Sequence, residues 1–494
     1  MPPPRLSKTR YLAGLRCPKR LWLLVHGAAL ASRPDAATEA RLEAGARVGR
    51  RAHALFPGGV EIEEGARRRE EALAETRALV ADPAVPAVFE AAFEHGDVRV
   101  HVDVLERVGK DAFGLREVKS STEVKPRHRD DVAVQRWVLE GAGLAVRSVE
   151  LVHLDRDYVR GPEGLDPERL FRRVELGQEI GEATARVPDE VSRLLQVLGS
   201  DEAPPVEPGP QCGDPFPCEF WEHCTAGRPE DSIHCLPRPG DRLERLRALG
   251  VERLGEIPED FPLTPLQTRL RQAHRSGEAF VSPDLAGALE SLGPPALYLD
   301  FEALLPAEPL YTGTRPYQAI PFQWSLHRVD EQGRVGHCEF LAGGREDPRL
   351  EVATSLLEAA GDGEEPVLVW SSFEDRMLRE LADAFPALAI PLGDLRARLR
   401  DLCALTRSHV YHPAFLGSFS IKDVAPALVP GFRWDDLAKR TGIADGAAAA
   451  AAFERIVRGD DSRAEEIRVR TALRAYCRRD TEAMRVVHRA LAEL

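Results

Sequence analysis

The chain has 494 residues, of which 43% are hydrophobic and 30% are charged, a composition typical of a folded water-soluble protein and not of a disordered one. This length predicts two or three domains. No apolar run approaches the roughly 20 residues that a membrane-spanning helix needs. The N-terminus also lacks the order of segments found in a signal peptide, so we expect a cytoplasmic protein that does not bind membranes.

Charge is distributed unevenly along the chain. The formal net charge is −14, yet residues 1–60 carry eleven Lys and Arg against three acidic residues, which leaves −22 for the remainder. A basic segment on an acidic body suits a path for nucleic acid that leads to carboxylate-rich metal sites. A solvated helical face gives the same pattern, so charge alone does not decide the function.

The N-terminal region is predicted to be helical. Ser7 caps a first amphipathic helix, and Cys17 follows it directly before Pro18. A further helical run begins near Ala37 and contains the segment Gly-Arg-Arg-Ala-His that ends at His53. A lone histidine on a helix is more often structural than a metal ligand, so His53 needs support from the residues that follow.

Two extended runs, Val98–Glu106 and Ala112–Lys119, flank a Gly-Lys-Asp turn and predict a hairpin. Side chains alternate along a strand, so Glu117 and Lys119 share one face, and pairing can bring Asp103 beside Glu117. Two adjacent carboxylates repel each other, and a divalent metal is the usual reason to tolerate them. The alternative is an exposed ion pair on the hairpin.

This arrangement resembles the D…ExK core of the PD-(D/E)XK nucleases, and the GxxxH segment resembles the helix that supplies a histidine ligand in RecB-like nucleases. The resemblance implies a restriction-endonuclease-like domain that binds Mg²⁺ or Mn²⁺ and in which Lys119 positions the attacking water. The implied metal ligands are His53, Asp103, Glu117 and the carbonyl of Val118.

Gln135 is expected to open the helix that follows the hairpin. It stands about where RecB-like nucleases carry a glutamine that contacts the substrate or the site. These nucleases often have a tyrosine four residues later, and that position is Leu139 here, so the match is partial. Beyond this helix the pattern predicts a strand over Val146–Leu154 and a helix near Pro167–Val187.

Three of the eight cysteines, Cys212, Cys218 and Cys224, fall within thirteen residues. In a chain without a secretory signal this clustering favours a metal site over disulfides. Zinc sites usually show paired C-x2-4-C knuckles, whereas two spacings of five residues fit better with a 4Fe-4S cluster. Cys17 is the natural fourth ligand, and Cys235 is an alternative to one of the four.

An early cysteine and a late triplet around a nuclease core resemble the iron–sulfur RecB-like exonucleases, among them the CRISPR-associated RecB-like nuclease and the AddB nuclease domain. The resemblance covers roughly residues 5–230. The spacing departs from these relatives, which usually have C-x2-C-x5-C. Because the cluster would close a loop of about 200 residues, its expected role is structural and not redox.

Residues 241–275 predict two short amphipathic helices around the turns Leu249-Gly250-Val251 and Ile257-Pro258. A helix-hairpin-helix of this kind can hold a phosphate with its backbone amides. The alternative is a helical connector between two catalytic domains.

A second domain is predicted to begin near Pro294. A hydrophobic strand there ends in Asp300-Phe301-Glu302, which places both carboxylates on one face. Two further strands follow, and then a buried strand over Val367–Ser371 that precedes a helix carrying Glu374 and Asp375. In the last predicted helix the i, i+4 spacing puts Tyr476 and Asp480 on one face.

In this order the three segments resemble the motifs of the DEDD exonucleases, tyrosine subtype, on an RNase H-like fold. The resemblance implies two metal ions held by Asp300, Glu302, Glu374 and Asp480, with Tyr476 orienting the nucleophile. The usual second motif has an aspartate where Glu374 stands, so Asp375 remains an alternative.

The C-terminal half also resembles a bacterial domain of unknown function often fused behind RecB-like nucleases, through Arg315-Pro-Tyr317 and Gly417-Ser-Phe-Ser-Ile-Lys422. The latter stretch puts a hydroxyl-rich loop before a helix that carries Lys422. It could contact a substrate phosphate, or it could be a capped helix start packed on the sheet.

The sequence therefore predicts an α/β multidomain protein with a RecB-like PD-(D/E)XK domain and iron–sulfur cluster over 1–236, a helical linker over 237–290 and an RNase H-like DEDD exonuclease domain over 291–494. The predicted activity is metal-dependent exodeoxyribonuclease-like hydrolysis of nucleic-acid ends, with DNA favoured over RNA. Helicase, repair or defence proteins are the expected partners. The alternative function is a catalytically weak end-binding subunit of a larger complex.

Overall fold

The computed structural model describes residues 5–62 and 69–494. The chain divides into two compact units, the first formed by residues 1–226 with Pro306–Gln318 and the second by Gly227–Leu305 with Ala319–Leu494. The predicted linker region, 237–290, lies within the second unit, and residues 306–318 lie within the first. Both units combine helices with a mixed sheet, so the chain is an α/β protein, as predicted.

The first unit begins with helices and then alternates strands with helices. Its described strands are β1 (Leu6–Ser7), β2 (Val60–Glu61), β3 (Ala87–His95), β4 (Val98–Gly109), β5 (Ala112–Lys119), β6 (Ala145–Leu154) and β7 (Phe171–Glu175). Its described α-helices are α1 (Lys8–Arg16), α2 (Pro18–His26), α3 (Ala36–Ala52), α4 (Arg69–Ala81), α5 (Pro126–Gly141), α6 (Pro167–Leu170), α7 (Gly181–Leu198) and α8 (Trp221–Thr225).

The described strands of the first unit form one mixed sheet in the order β2-β3-β4-β5-β6-β7, with β1 pairing to β4. Strands β3, β4 and β5 are antiparallel, and β5 and β6 are parallel neighbours connected through α5. A parallel pair needs such a crossover connection, and α5 covers the sheet with apolar residues that include Val134 and Val138, both 0% exposed. The end of β5 and the inner face of α5 therefore meet in one place.

The second unit also combines strands with helices, and its last described helix is its longest. Its described strands are β8 (Phe280–Val281), β9 (Ala296–Leu304), β10 (Ile320–Val329), β11 (Val335–Leu341), β12 (Val367–Val369), β13 (Leu399–Asp401) and β14 (Val410–Tyr411). Its described α-helices are α9 (Arg242–Ala248), α10 (Pro265–Ser276), α11 (Leu285–Leu289), α12 (Arg349–Ala360), α13 (Phe373–Ala384), α14 (Ala389–Ala397), α15 (Leu402–His409), α16 (Ile421–Leu428), α17 (Asp435–Thr441), α18 (Gly446–Arg458) and α19 (Arg463–Ala492).

The main sheet of the second unit has the order β11-β10-β9-β12-β13. The first three strands form an antiparallel meander, and β12 and β13 run parallel to β9 and to each other. One face packs against α19, where Tyr298 of β9 bonds His488 and where Ser325 and His327 of β10 both contact Thr481. Polar side chains are therefore buried and paired on the face that also carries Asp300 and Glu302.

Three predicted elements differ in the structure. The region near Pro167–Val187, predicted as one helix, contains β7 between α6 and α7. Pairing with β6 explains the difference, since Arg173 of β7 bonds Glu150 of β6 at 2.5 Å and tertiary pairing outweighs local propensity. Gln135 lies in the middle of α5 and not at its start. In the predicted helical hairpin a 3₁₀ turn, Leu254–Glu256, separates α9 from α10.

A helix that crosses a bilayer must be both long and apolar. Across residues 5–62 and 69–494, none is both long and apolar enough to cross a membrane.

Candidate active sites

The first candidate site forms where β4 and β5 separate. The register pairs Val104 with Arg116, and continuing it by one residue sets Asp103 opposite Glu117. The backbone N–H of Val118 donates to Asp103 Oδ2 at 2.7 Å, so a side chain replaces the next backbone bond of the ladder. The predicted neighbours Asp103, Glu117 and Val118 are thus brought together.

Glu117 is 1% exposed and accepts hydrogen bonds from three side chains. Lys119 Nζ lies 2.5 Å from Glu117 Oε1, and Gln135 Nε2 lies 2.7 Å from Glu117 Oε2. Lys8 Nζ contacts both oxygens, at 2.9 and 3.1 Å. Glu117, Lys119 and Gln135, all singled out in the sequence, therefore lie in one cluster, and Lys8 joins it.

Asp131 completes this cluster and was not anticipated from the sequence. It is 4% exposed and accepts from Lys119 Nζ at 2.6 Å and from Gln135 Nε2 at 3.0 Å. Its position four residues before Gln135 on α5 puts both on one helical face, and this spacing could have revealed it. Lys8 gives no such local signal, because only the folding of the N-terminal segment onto β4 brings it close.

The charges in this cluster shift each other's protonation. Burial raises the pKa of Glu117 to about 7, and the neighbouring charges of Asp103 and Asp131 push in the same direction. Burial alone would lower the pKa of Lys119, but Glu117 and Asp131 raise it above its ordinary value. The pKa of Lys8 is raised in the same way despite its burial. Both lysines therefore stay protonated, and the site is rich in opposed charges.

His53 lies at the C-terminal end of α3, where it begins a 3₁₀ turn. Its ring stacks on Phe89 at a centroid distance of 3.8 Å, and its Nδ1 lies 4.0 Å from Glu61 Oε2. Burial lowers the pKa of His53, while Glu61 and Asp103 oppose the shift. Within the described residues, the ligand atoms of His53, Asp103 and Glu117 do not all come within 4.8 Å of one another.

Four cysteines of the first unit line one small cavity between α2 and the segment around α8. They are Cys17, Cys212, Cys218 and Cys224. Cys17 caps α2, where its sulfur accepts from the N–H of Arg20, and the N–H of Cys218 donates to the carbonyl of Cys212 at 2.8 Å. Cys235 lies in the second unit, so the structure groups the four cysteines named from the sequence and not the alternative.

Two arginines connect the N-terminal helices to the cysteine segment. Arg16 donates to the carbonyl oxygens of Gln211 at 2.6 Å and Phe216 at 2.7 Å. The Arg20 guanidinium forms a bidentate salt bridge with the Glu219 carboxylate, with N–O distances of 3.0 and 3.1 Å. The four cysteine sulfurs therefore come from two segments about 200 residues apart in sequence. A cofactor bound by all four would join these segments.

The second candidate site is built on β9. Asp300 and Glu302 leave the strand on one face, and Glu302 is 6% exposed. Their carboxylates and the Cys477 sulfur of α19 have ligand atoms that all lie within 4.8 Å of one another. The D-x-E strand and the last helix are thus brought together, as the order of motifs predicted, but Cys477 was not singled out in the sequence.

The structure distinguishes between Glu374 and Asp375. Glu374 is 3% exposed, and its charge raises the pKa of both Asp300 and Glu302. Asp375 points away into an ion pair with Arg396, at 2.5 Å, with its side chain 40% exposed. Of the two acids at the start of α13, Glu374 is therefore the one whose charge acts on the carboxylates. Within the described residues, neither Glu374 nor Asp480 forms with Asp300 and Glu302 a group whose ligand atoms all lie within 4.8 Å of one another.

Tyr476 and Asp480 project from α19 toward the same carboxylates. Lys422 Nζ donates to the Tyr476 hydroxyl at 2.9 Å, and Trp434 Nε1 donates to Asp480 Oδ1 at 2.7 Å. Ser420 caps α16, in which Lys422 lies, so the predicted hydroxyl-rich segment is a capped helix start that also delivers a lysine to the site. Trp434 gave no recognisable signal in the sequence.

The four acids of this second cluster all have a pKa above the ordinary value. Burial is the main cause for Asp300 and Glu302, whose pKa values lie well above the ordinary range, and the charge of Asp480 adds to both. Burial also raises the pKa of Glu374 to about 7 and that of Asp480 to about 6. Concentrating so many carboxylates is costly without a cation, which is the setting in which a protein binds divalent metals.

A family model described as a domain of unknown function (DUF2779) matches residues 297–420. The matched range contains Asp300, Glu302 and Glu374, and it ends before Lys422, Tyr476 and Asp480. No curated protein matches the chain significantly.

Proposed function

We propose that this protein is a metal-dependent nuclease with two active sites, one in a PD-(D/E)XK domain and one in an RNase H-like DEDD exonuclease domain. The observation that carries the proposal is electrostatic: besides burial, the charges of Asp480 and Glu374 raise the pKa of both Asp300 and Glu302, so acids from three separate elements of the second unit act on one another. Asp300 and Glu302 come from β9, Glu374 from α13 and Asp480 from α19. This set is rich enough in oxygen donors for two divalent cations.

In the second unit, these four acids would hold Mg²⁺ or Mn²⁺. A pair of such ions stabilises the attacking and leaving oxygens in phosphodiester hydrolysis. The Tyr476 hydroxyl, fixed by Lys422 at 2.9 Å, would orient the water that attacks the terminal phosphodiester. Trp434 fixes the carboxylate of Asp480, so the helix presents both groups in a defined orientation.

In the first unit, Asp103 and Glu117 would bind the cation, with the Val118 carbonyl and His53 as further ligands. Lys119 would position the attacking water, since its Nζ lies beside Glu117 and is kept protonated. Gln135 and Asp131 hold Glu117 and Lys119 in place through buried hydrogen bonds. The opposed charges give this site the acid and base groups that hydrolysis of a phosphodiester needs.

A 4Fe-4S cluster bound by Cys17, Cys212, Cys218 and Cys224 would stabilise the first unit. The cavity that they line supports this assignment. Within the described part of the chain, no three of these sulfurs lie within 4.8 Å of one another. In a tetrahedral zinc site with Zn–S bonds of about 2.3 Å, the sulfurs are only about 3.8 Å apart. A four-iron cluster is larger than one ion and accommodates wider spacing.

The substrate is proposed to be a nucleic-acid end, with DNA favoured over RNA. The basic N-terminal segment supports a nucleic-acid substrate, because its excess of Lys and Arg can neutralise backbone phosphates. Helicase, repair or defence proteins would supply or unwind such ends. The alternative function, end binding without cleavage, predicts the same affinity for ends but no products.

The test is cleavage of 5′- or 3′-labelled single- and double-stranded DNA and RNA by the full chain with Mg²⁺ or Mn²⁺. The full chain is needed because residues 306–318 belong to the first unit. Glu117→Gln and Asp300→Asn should each remove one cleavage pattern, and the double variant should remove both. The neighbouring acids Glu140, which is exposed, and Asp375, which is half-buried, supply the control variants Glu140→Gln and Asp375→Asn, which should cut normally.

Two outcomes would contradict the proposal. If the double variant cuts like the wild type, neither cluster is catalytic. If the wild type binds labelled ends but releases no nucleotides under any metal condition, the end-binding function replaces the nuclease.

A further inference from the structure

Cys477 occupies an unusual position for a buried cysteine. Its side chain is 0% exposed, and its sulfur lies 3.7 Å from Asp300 Oδ2, to which the thiol donates. The sulfur and one oxygen each of Asp300 and Glu302 all lie within 4.8 Å of one another. These three atoms can therefore contact a single ion after small adjustments.

The surroundings of Cys477 differ from those of Cys403 and Cys338, two other cysteines of the second unit. Cys403 is also buried, but its thiol donates to the backbone carbonyl of Phe419 and no carboxylate accepts from it. Cys338 is exposed. Burial raises the pKa of the Cys477 thiol, and the charges of Asp300, Glu302 and Asp480 raise it further. Only Cys477 among these three thiols faces carboxylates that can share a cation with it.

A second and independent feature of the same region is an unpartnered amide oxygen. Gln323 is 0% exposed and lies directly opposite Glu302 in the β9–β10 register, so both side chains leave the sheet on one face. Its Nε2 donates to the carbonyl of Leu473, one helical turn before Cys477 on α19. Its Oε1 has no hydrogen-bond partner, and a buried acceptor without a partner is destabilising.

The donor atoms at this position are two carboxylates, one thiol sulfur and one neutral amide oxygen nearby. Mg²⁺ and Ca²⁺ prefer oxygen ligands alone, whereas thiolate ligands select softer ions such as Zn²⁺, Co²⁺ and Cd²⁺. Coordination by Cys477 would release its thiol proton to solvent, since only the thiolate binds the metal.

We propose that Asp300, Glu302 and Cys477 form a binding site for a thiophilic divalent cation, which the second active site takes in addition to Mg²⁺ or Mn²⁺. This inference rests on the proposed function only because the cation site shares Asp300 and Glu302 with the second proposed active site. The sulfur ligand makes the position nearest Asp300 selective for soft cations, so Zn²⁺ at low concentration occupies it in preference to Mg²⁺.

The test is titration of the full chain, with its cluster assembled, with Co²⁺ while recording the ultraviolet and visible absorption. Wild-type protein should develop a thiolate-to-Co²⁺ charge-transfer band. Cys477→Ser and Cys477→Ala should lack this band and bind Co²⁺ roughly tenfold or more weakly. Cys338→Ser and Cys403→Ser, which remove other thiols of the same unit, should keep the band. Circular dichroism establishes that each variant is folded.

A wild-type protein without the band, or a band that persists in folded Cys477→Ser and Cys477→Ala, would overturn the inference. Asp300→Asn should also lose the band, because it removes a ligand and leaves the cysteine. The nuclease proposal is judged separately by Mn²⁺-dependent cleavage. If Asp300→Asn cuts normally in a Glu117→Gln background, in which only the second site can act, while the band depends on Cys477, the metal site stands and the assignment of the second active site fails.

Discussion

Lys119 Nζ lies 2.6 Å from Asp131 Oδ2, although twelve residues separate them in sequence. The strand that carries Lys119 and the helix that carries Asp131 therefore meet through a buried, charge-assisted contact. This contact fixes the lysine that we propose to position the attacking water.

We expect Asp131→Asn to reduce cleavage by the first site by about 10- to 100-fold, the range seen when a supporting hydrogen bond around a metal site is lost. The amide keeps the size of the side chain but removes the charge that pairs with Lys119. The measurement is product formation by a protein that also carries Asp300→Asn, so that only the first site acts. The adjacent, half-buried Asp130 provides the control Asp130→Asn, which should cut at the wild-type rate.

Lys8→Met should lower the Mn²⁺ concentration that gives half-maximal cleavage by the first site. Lys8 contacts both oxygens of Glu117 at 2.9 and 3.1 Å, and a metal ion must compete with this cation. If Lys8 weakens metal binding by about 1.4 kcal/mol, its removal increases the affinity for Mn²⁺ about tenfold. A metal titration in the Asp300→Asn background measures it, and Lys110→Met on the exposed β4–β5 turn is the control. An increased metal requirement would show that Lys8 supports the metal and does not oppose it.

Glu374 gives a dependence of stability on pH. Burial raises its pKa from 4.5 to about 7, so between these values the folded chain holds a proton that the unfolded chain has lost. Stability without metal therefore falls as pH rises through this window, by up to about 3 kcal/mol from this group. Glu374→Gln should flatten the slope and raise the melting temperature at pH 8 in EDTA. The half-buried neighbour supplies the control Asp375→Asn, whose slope should match that of the wild type.

Tyr476→Phe should slow 3′-end cleavage by about a hundredfold and leave metal binding intact. The substitution removes only the hydroxyl that accepts from Lys422. Mn²⁺ should therefore still raise the melting temperature of the variant, because a ligand that binds the native state stabilises it. Tyr298→Phe removes a different buried hydroxyl, the one bonded to His488, and should cut normally. The rates are compared in a Glu117→Gln background, so that only the second site acts, and equal rates with and without Tyr476→Phe would exclude a role for this hydroxyl.

Anaerobically purified protein should be brown and contain about four iron atoms per chain. Serine at Cys17, Cys212, Cys218 or Cys224 should each reduce the iron content and lower the melting temperature of the protein, since the cluster joins distant segments. Cys235→Ser should retain the iron, because Cys235 lies in the second unit. Stoichiometric zinc in a colourless wild-type protein would rule out the cluster.

The sequence by itself determined the pairs that local backbone geometry places on one face. Alternation along a strand set Glu117 beside Lys119 and Asp300 beside Glu302, and helical spacing set Tyr476 with Asp480. These relationships follow from the two-residue and 3.6-residue periods of strands and helices, which any folded context preserves. The α/β class followed from the same patterns.

Only the tertiary structure decided which distant residues join these pairs. The choice of Glu374 over Asp375 depends on how α13 packs, and Lys8 reaches Glu117 only because β1 pairs with β4. Cys477 likewise meets Asp300 and Glu302 only because α19 packs on the sheet, and Gln323 stands opposite Glu302 only through the pairing of β9 with β10. Such contacts are fixed by the cooperative burial of whole elements, which outweighs local preference and leaves no periodic signal in the sequence.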